Sequence, residues 1–421
     1  VDSEMMAELL RQRGHIPVEQ PRRADVILVN TCGFIEAARQ ESYAALRALA
    51  AQKRRGQMLI ATGCLAQRFP AELRSHVPQL DGLIGARAWP RIAEFLDRLL
   101  ASRGAASGDM LVEDNLVTSV PRRLAQPTAY LKIADGCDAA CSFCAIPLIK
   151  GPQRSKPLEE VLRETRELAQ QGVREVVLIA QDTTAYGRDL GYSEGLPGLL
   201  RVIAPEMPHE SWIRILYAYP QHVTPALIES MVAIPQICRY LDLPLQHGHP
   251  DVLRRMRRPH DIEEIYALLD ALRQAMPDIA LRTSLIVGFP GETDAEFEAL
   301  LDFLRAAQLD KVGIFGYSAE QGTLAAMLPD RVPDALIEER RERAMLVQQE
   351  ISRQRNLAQV GRMLRVLVEG IGDGRSYRDA PEIDGMVLMA SEQIPGEFVE
   401  ARIVGAQEYD LIGEALPRVI A

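Results

Sequence analysis

Cysteine is scarce in this 421-residue chain: six residues, too few and too unevenly spread for a disulfide framework. No apolar run approaches the ~18 uninterrupted residues of a membrane span. The opening V-D-S-E-M-M-A-E has neither the basic segment nor the apolar core of a secretory signal, so a cytoplasmic location is expected. An initiator methionine is also lacking. Basic residues are the minority sign, with 48 Lys+Arg against 58 Asp+Glu and a net charge of −10. A content of 47% hydrophobic and 25% charged residues excludes a disordered, a collagen-like or a disulfide-miniprotein chain. At roughly 150 residues per domain, the length allows two or three domains.

What is present is an alternation of strand and helix patterns. A-D-V-I-L-V-N (24–30), M-L-I-A-T-G-C (58–64) and L-D-G-L-I-G (80–85) read as strands, with a helix from Glu36 through Ala51. Such alternation predicts a parallel sheet covered by helices over residues 1–105. Cys32 and Cys64 each fall just past a strand's carboxyl end, the edge where open α/β sheets bind ligands. Residues 106–125, after an Ala/Ser/Gly-rich stretch, read as a linker. Six further strand patterns (130–134, 175–181, 212–217, 240–245, 280–288, 311–317), with helices such as 157–171 and 261–275 between them, predict a complete or partial (β/α) barrel. A charged helix over about 333–359 ends this central domain, 126–357. Residues 358–421 change to short alternating runs broken by Gly, Pro and Asp, the pattern of a small antiparallel β barrel or sandwich. The expected fold class is therefore α/β, with a terminal all-β domain.

Half the cysteines lie within eight residues. G-C-D-A-A-C-S-F-C-A-I-P (136–147) spaces Cys137, Cys141 and Cys144 as C-x3-C-x2-C. Three thiolates on one loop after a strand are one ligand short of a tetrahedral zinc site or a four-iron cluster. A structural zinc site would recruit a distant fourth ligand, with His247 and His249 as candidates. A 4Fe-4S cluster would leave one iron open to chelate S-adenosylmethionine (SAM). Cys238, in I-P-Q-I-C-R-Y, matches no ligand position and reads as core.

The C-x3-C-x2-C loop, after the first strand of the expected barrel and with Phe143 inside it, closely resembles the radical SAM superfamily. The resemblance implies reductive cleavage of SAM to methionine and a 5′-deoxyadenosyl radical. Cys32 and Cys64 resemble ligands of the second 4Fe-4S cluster of the methylthiotransferases. Those enzymes carry three cysteines in that domain, the first just before a V-D-S-E sequence. The chain starts at V-D-S-E, so the third cysteine is expected upstream of Val1, and the second cluster hangs on it.

Several strings are similar to the protein-modifying, RimO-type branch: Y-L-K-I-A-D-G-C-D (130–138), A-Q-D-T-T-A-Y-G (180–187), Y-L-D-L-P-L-Q-H (240–247), V-G-F-P-G-E-T (287–293) and G-R-S-Y-R-D-A-P-E-I-D-G (374–385). Lys150 stands where that family usually has arginine. The resemblance implies methylthio insertion at the β-carbon of an aspartate in the basic decoding-centre protein of the small ribosomal subunit, with an external electron donor. The alternatives are a tRNA adenosine methylthiotransferase (MiaB-like) and a non-catalytic iron–sulfur or zinc protein. Residues 1–125 carry a net +3, while 361–421, which resemble a TRAM domain, carry six bases and eleven acids, a net −5. That is the wrong sign for replacing counterions on RNA, so direct nucleic-acid binding is not expected. It suits a basic protein partner.

Beyond the cysteines, Gln181 and Asp182 are candidates for orienting SAM or the acceptor, with strand-end capping as the alternative. Arg282 and Glu292, expected near strand ends, are candidates for contacting SAM. Gly288 and Gly291 would let the backbone approach a ligand, or simply close a tight turn. Glu159 and Glu160 read as a helix N-terminus that favours negative charge, with no chemistry assigned.

Overall fold

The computed structural model describes residues 1–101, 108–112, 118, 120–123, 126–390 and 393–416. The chain divides into two compact units. One holds Val1–Arg123, Ala134–Lys156 and Ser318–Ala326; the other holds Leu124–Ile133, Pro157–Tyr317 and Met327–Ala421.

The smaller unit is built on a four-stranded parallel sheet of β1 (Val26–Thr31), β2 (Met58–Gly63), β3 (Gly82–Gly85) and β4 (Gly108–Met110) in that order. Every residue of β2 and β3 is buried, which is why these read as unbroken apolar runs rather than alternating ones. The helix Glu36–Ala51 forms as its sequence predicts and turns Tyr43 and Leu46 into the core. Strand β4 corrects the expected linker: Gly108–Met110 pairs with β3, and Met110 enters the core beside Phe95 and Leu99. Most of the remaining linker segment lies outside the described residues.

In the larger unit, β5 (Thr128–Lys132) opens the barrel; a short hairpin of β6 (Ala134–Asp135) and β7 (Arg154–Ser155) belongs to the smaller unit and brackets the cysteine loop. Strands β8 (Glu175–Ile179) and β9 (Trp212–Ile215) continue from β5 in parallel, and β10 (Tyr240–Asp242), β11 (Ala280–Val287) and β12 (Lys311–Gly316) form a second parallel triplet. A parallel bridge between Ile213 and Ile237 lies between the triplets, so the six strands make a partial barrel. The helix Asp294–Ala307 shows how local signals set boundaries. Thr293 and Glu296 form a reciprocal capping box, and Gln308 closes the far end in the left-handed region. Although burial pushes the Glu296 carboxyl up, Arg255 and the Thr293 N–H outweigh it and bring the pKa to about 2. A pKa depressed in the folded state supplies stability above the ordinary carboxylate range, lost as pH falls through the folded value. Glu296→Gln is accordingly expected to flatten the fall of Tm between pH about 4.5 and about 2; an unchanged acid limb counts against it.

The long helix Asp334–Leu357 leads into a closed five-stranded barrel of β13 (Met363–Gly370), β14 (Asp373–Ser376), β15 (Val387–Met389), β16 (Phe398–Ala406) and β17 (Leu411–Ala415). Its order is β13-β14-β15-β17-β16. The expected all-antiparallel pairing holds except at β15–β17, which is parallel. Closure removes exposed edges from a domain too small to cover them otherwise.

The terminal barrel is joined to the central one within this unit by buried charge. Glu175 Oε1 accepts from Arg214 Nε at 2.7 Å, and its Oε2 pairs with Arg375 of β14. Lys311 meets Asp379 at 2.9 Å, and Arg378 pairs with Asp310. The D-A-P-E-I-D-G segment thus faces inward with its first and last acids: Tyr240 Oη donates to Asp384 at 2.6 Å.

Candidate functional site

The cysteine loop is shaped by its flanks. Gly136 has φ +80°, and a Cβ there would sit 2.1 Å from the Pro152 carbonyl oxygen, so only glycine lets the two ends of the loop meet. Cys137 N–H donates to Gly151 O at 3.2 Å, and Gln153 N–H to Asp138 Oδ1 at 3.1 Å. Two backbone N–H groups face the sulfurs: Ala139 N lies 3.4 Å from Cys137 Sγ, and Ile146 N 3.5 Å from Cys144 Sγ. All three cysteines are half-buried. Three thiolate donors with N–H groups directed at two of them fit an anionic iron–sulfur cluster, whose potential such bonds raise.

Cys32 and Cys64 follow Thr31 and Gly63, which are register partners on neighbouring parallel strands. The loops that carry them approach closely, since a Cβ on Gly33 would lie 2.9 Å from the Cys64 carbonyl carbon and 2.7 Å from Leu65 Cα. Cys64 and Phe34 pack against Ala86, Ala145 and Ile149. Arg87 Nε donates to Ile149 O at 2.8 Å. These contacts explain why the three-cysteine loop, expected within residues 126–357, belongs with the N-terminal sheet: both cysteine sets lie in one compact unit. Burial pushes the Cys64 thiol up, opposed by the Lys150 charge. Lys150 itself is buried; burial would lower its pKa, but Asp135 at 3.0 Å and Asp2 at 3.6 Å raise it. A single ammonium satisfies this pair, so the bidentate fork of arginine is not required there.

In the larger unit the expected residues separate into distinct situations. Gln181 follows β8, and its Oε1 is shielded from solvent without a hydrogen-bond partner. The Asp182 carboxylate is fully engaged, and caps the turn Thr183–Ala185 as the capping alternative foresaw. Arg282 is corrected in position: it is the third of eight residues of β11, not near its end, and donates to Asp242 at 2.8 Å with Asp384 at 3.4 Å. Glu292 turns inward. Its oxygens accept from Gly288 N at 3.0 Å, and Arg340 Nη1 lies 2.8 Å away. Gly288 has φ +73°, and a Cβ would strike Ile337 Cγ1 at 2.3 Å, so its tight packing accounts for glycine. Gly291, at φ +74°, has only Arg255 Nε within reach at 3.9 Å.

His247 is buried, with Nδ1 accepting from His249 N–H at 3.0 Å and Nε2 3.3 Å from Glu292. His249 accepts from Asp251 N–H through Nδ1. Cys238 is core as expected, 2% exposed, with burial pushing its thiol up to about 12. Glu159 and Glu160 occupy the first turn of the helix Leu158–Gln170. Sequence reasoning missed Glu320, 2% exposed in its side chain, which accepts from Arg39 at 3.0 Å and Arg68 at 2.8 Å within the smaller unit. No local pattern marks it, because its partners lie more than 250 residues away.

A partial (β/α) barrel whose first strand leads into a C-x3-C-x2-C loop defines a radical SAM enzyme. Residues 131–304 match the radical SAM superfamily, 1–85 match the "Uncharacterized protein family UPF0004", and 360–416 match a TRAM domain. The chain is 48% identical to a "Ribosomal protein uS12 methylthiotransferase RimO" of Roseiflexus sp., over 98% of this chain and 94% of that one. It is 46% identical to the protein of the same name from Herpetosiphon aurantiacus, over 98% and 97%. It belongs to the RimO family of methylthiotransferases, and is a transferase. Among solved structures, the radical SAM methyltransferase TsrM of Kitasatospora setae, with cobalamin and a [4Fe-4S] cluster bound, superposes with a TM-score of 0.52 at 15% identity. It covers 69% of this chain and 63% of that one, and shows the shared fold. No helix among the described residues is long and apolar enough to cross a membrane.

Proposed function

We propose that this chain transfers a methylthio group to the β-carbon of an aspartate in ribosomal protein uS12, in the cytoplasm and with electrons from an external donor. The observation that carries the reading is the gathering of both cysteine sets into one compact unit of a RimO-family chain. Cys137, Cys141 and Cys144 would hold a 4Fe-4S cluster; Cys32 and Cys64 would hold a second. When bound, the first cluster and SAM supply the radical chemistry, and the second a place for sulfur. The chain's own residues position and exclude water. Gln181 offers an unpaired amide oxygen to a donor on SAM or the acceptor, and the turn Gly288–Gly291, braced by Glu292, presents backbone to SAM. Arg282, already paired, would act only through Asp242.

The acidic terminal barrel supports a basic protein partner. Asp379, Asp384, Arg375 and Arg378 are paired internally, yet Glu382, Glu400, Glu408 and Glu414 remain exposed against exposed Arg362 and Arg402. That surface repels RNA phosphates and favours a cationic protein.

Mass spectrometry of uS12 and of tRNA from a deletion strain tests the substrate. Loss of the methylthio group from uS12 is expected; loss from a tRNA adenosine instead overturns the assignment. Cys64→Ala separates the two clusters. Compared with wild-type enzyme shown by iron counting to carry both clusters, iron per chain is expected to fall by about half, with 5′-deoxyadenosine still formed and methylthio transfer lost. Iron unchanged from that two-cluster level removes Cys64 from the ligand set.

A further inference from the structure

Adjacent parallel strands β8 and β9 of the larger unit each end in a loop, and the two loops share a hydrogen-bonded chain that the roles above leave unexplained. Asp182 Oδ1 accepts from Thr184 Oγ at 2.6 Å and from Ala185 N–H at 3.1 Å. Its Oδ2 lies 2.8 Å from His222 Nδ1. A carboxylate whose other oxygen is already held can only accept, so it fixes the imidazole proton on Nδ1. Nε2 is then an acceptor, and Arg188 Nη1 donates to it at 2.7 Å. Thr184 Oγ also accepts from Tyr219 N–H at 3.0 Å. The Tyr219 ring packs on His222 with centroids 5.0 Å apart, and Arg258 lies 4.1 Å over the Tyr219 face.

The chain runs outward from a buried anion to a surface cation. The Asp182 side chain is 4% exposed and that of His222 24%, while Arg188 is exposed. Among the described residues no carboxylate pairs with Arg188; its one side-chain bond is to the neutral imidazole. That bond orients the guanidinium without neutralising it, and leaves the Nε–Nη2 edge of its five donors open. An exposed arginine held by a histidine that is itself held by a saturated aspartate is restrained far more than a free surface arginine. Its place past the carboxyl ends of barrel strands is where (β/α) barrels receive substrate.

We propose that Arg188, aimed by the Asp182–His222 pair, receives the side-chain carboxylate of the acceptor aspartate. The proposal rests on the function given above. One planar fork matches one carboxylate in bidentate geometry. A nucleic-acid backbone would call for several cations along a track. Arg188 touches the acceptor; Asp182 and His222 are positioning residues that restrict the guanidinium to one direction.

Fluorescence anisotropy tests this with the reconstituted full-length enzyme, titrated with purified uS12 and with uS12 whose acceptor aspartate is replaced by asparagine. The wild-type enzyme is expected to bind the aspartate form about tenfold or more tightly over the asparagine form. R188M is expected to bring the two within about twofold, by weakening the aspartate form only, and R188K to restore part of the preference. D182N presents a donor to Nδ1, reverses the imidazole tautomer, deprives Arg188 of its acceptor and is expected to shrink the preference. R353M, which removes one exposed positive charge from the long helix, is expected to leave the ratio unchanged. An undiminished preference in R188M overturns the proposal. A wild-type enzyme that methylthiolates uS12 yet binds both forms equally overturns it while the function stands; one that neither binds nor modifies uS12 overturns the function and this inference with it.

Discussion

Replacing Cys141 with alanine is expected to remove SAM cleavage altogether, by at least ~10³-fold in 5′-deoxyadenosine formation, equivalent to about 4 kcal/mol. The loop offers only three sulfur donors, and the C-x3-C-x2-C spacing gives Cys141 no neighbour to substitute for it. Cys144 N–H donates to Cys141 O at 3.3 Å, so the backbone at this position is fixed by the loop itself and survives loss of the sulfur. The fold should therefore persist while iron is lost, which separates a ligand from a structural thiol. Iron counting after anaerobic reconstitution and the 5′-deoxyadenosine assay read the two effects. Cys238→Ala is the matched control: its thiol is buried in the core beside Trp212 and Leu367, and full iron should remain. Retained iron in Cys141→Ala, or zinc in its place, would mean the loop is not the SAM cluster site.

The second large effect is expected in stability, at Glu175. Burial alone would raise this carboxyl, but the Arg214 and Arg375 guanidiniums outweigh it and hold it below the ordinary range. Both arginines are themselves buried, Arg214 completely. Glu175→Gln leaves the buried Arg214 without an anion and Arg375 with Glu369 alone, and a cost of about 3–5 kcal/mol is expected. The exposed pair Arg163–Glu167 gives the comparison, where removal of one partner should cost under about 0.5 kcal/mol. Trp212 packs on Phe398 of the terminal barrel at 4.8 Å between ring centroids, so its fluorescence reports this unit. Urea titration in a Trp89→Phe background isolates that signal, since the chain holds only two tryptophans. Stability from a depressed carboxyl is present above the ordinary pKa and lost as pH falls through the folded one, so wild type and variant should converge in acid. A difference of less than about 1 kcal/mol at neutral pH would show that the charges are not decisive there.

Much of this molecule is visible along the chain. The helix expected from Glu36 through Ala51 has those bounds, and the charged helix expected over 333–359 spans Asp334–Leu357. Both are set by periodicity and local chemistry. The six barrel strands are likewise found: β5 has the expected length two residues earlier, and the other five are slightly shorter than their apolar runs, because residues past the strand ends such as Gln181 and Tyr217 leave the ladder to form loops. Strands β4 and β14 were hidden. Gly108–Met110 and Asp373–Ser376 carry glycine and polar residues, and pair only because a neighbour supplies the register. The two residues of A-Q-D that drew notice are separated by structure: Gln181 keeps an open oxygen, while Asp182 is committed to His222, forty residues away.

The sequence by itself determined the cysteine spacing, the order of elements and the sign of the terminal domain, because these depend on residues near one another or on counting. Tertiary structure alone decided that the three-cysteine loop keeps company with Cys32 and Cys64, that Glu292 and Arg282 face inward, and that Arg188 is held by a histidine. Each of these is a contact between segments far apart in the chain. Such contacts are selected by packing and by the need to pair every buried charge, and no local pattern carries that condition.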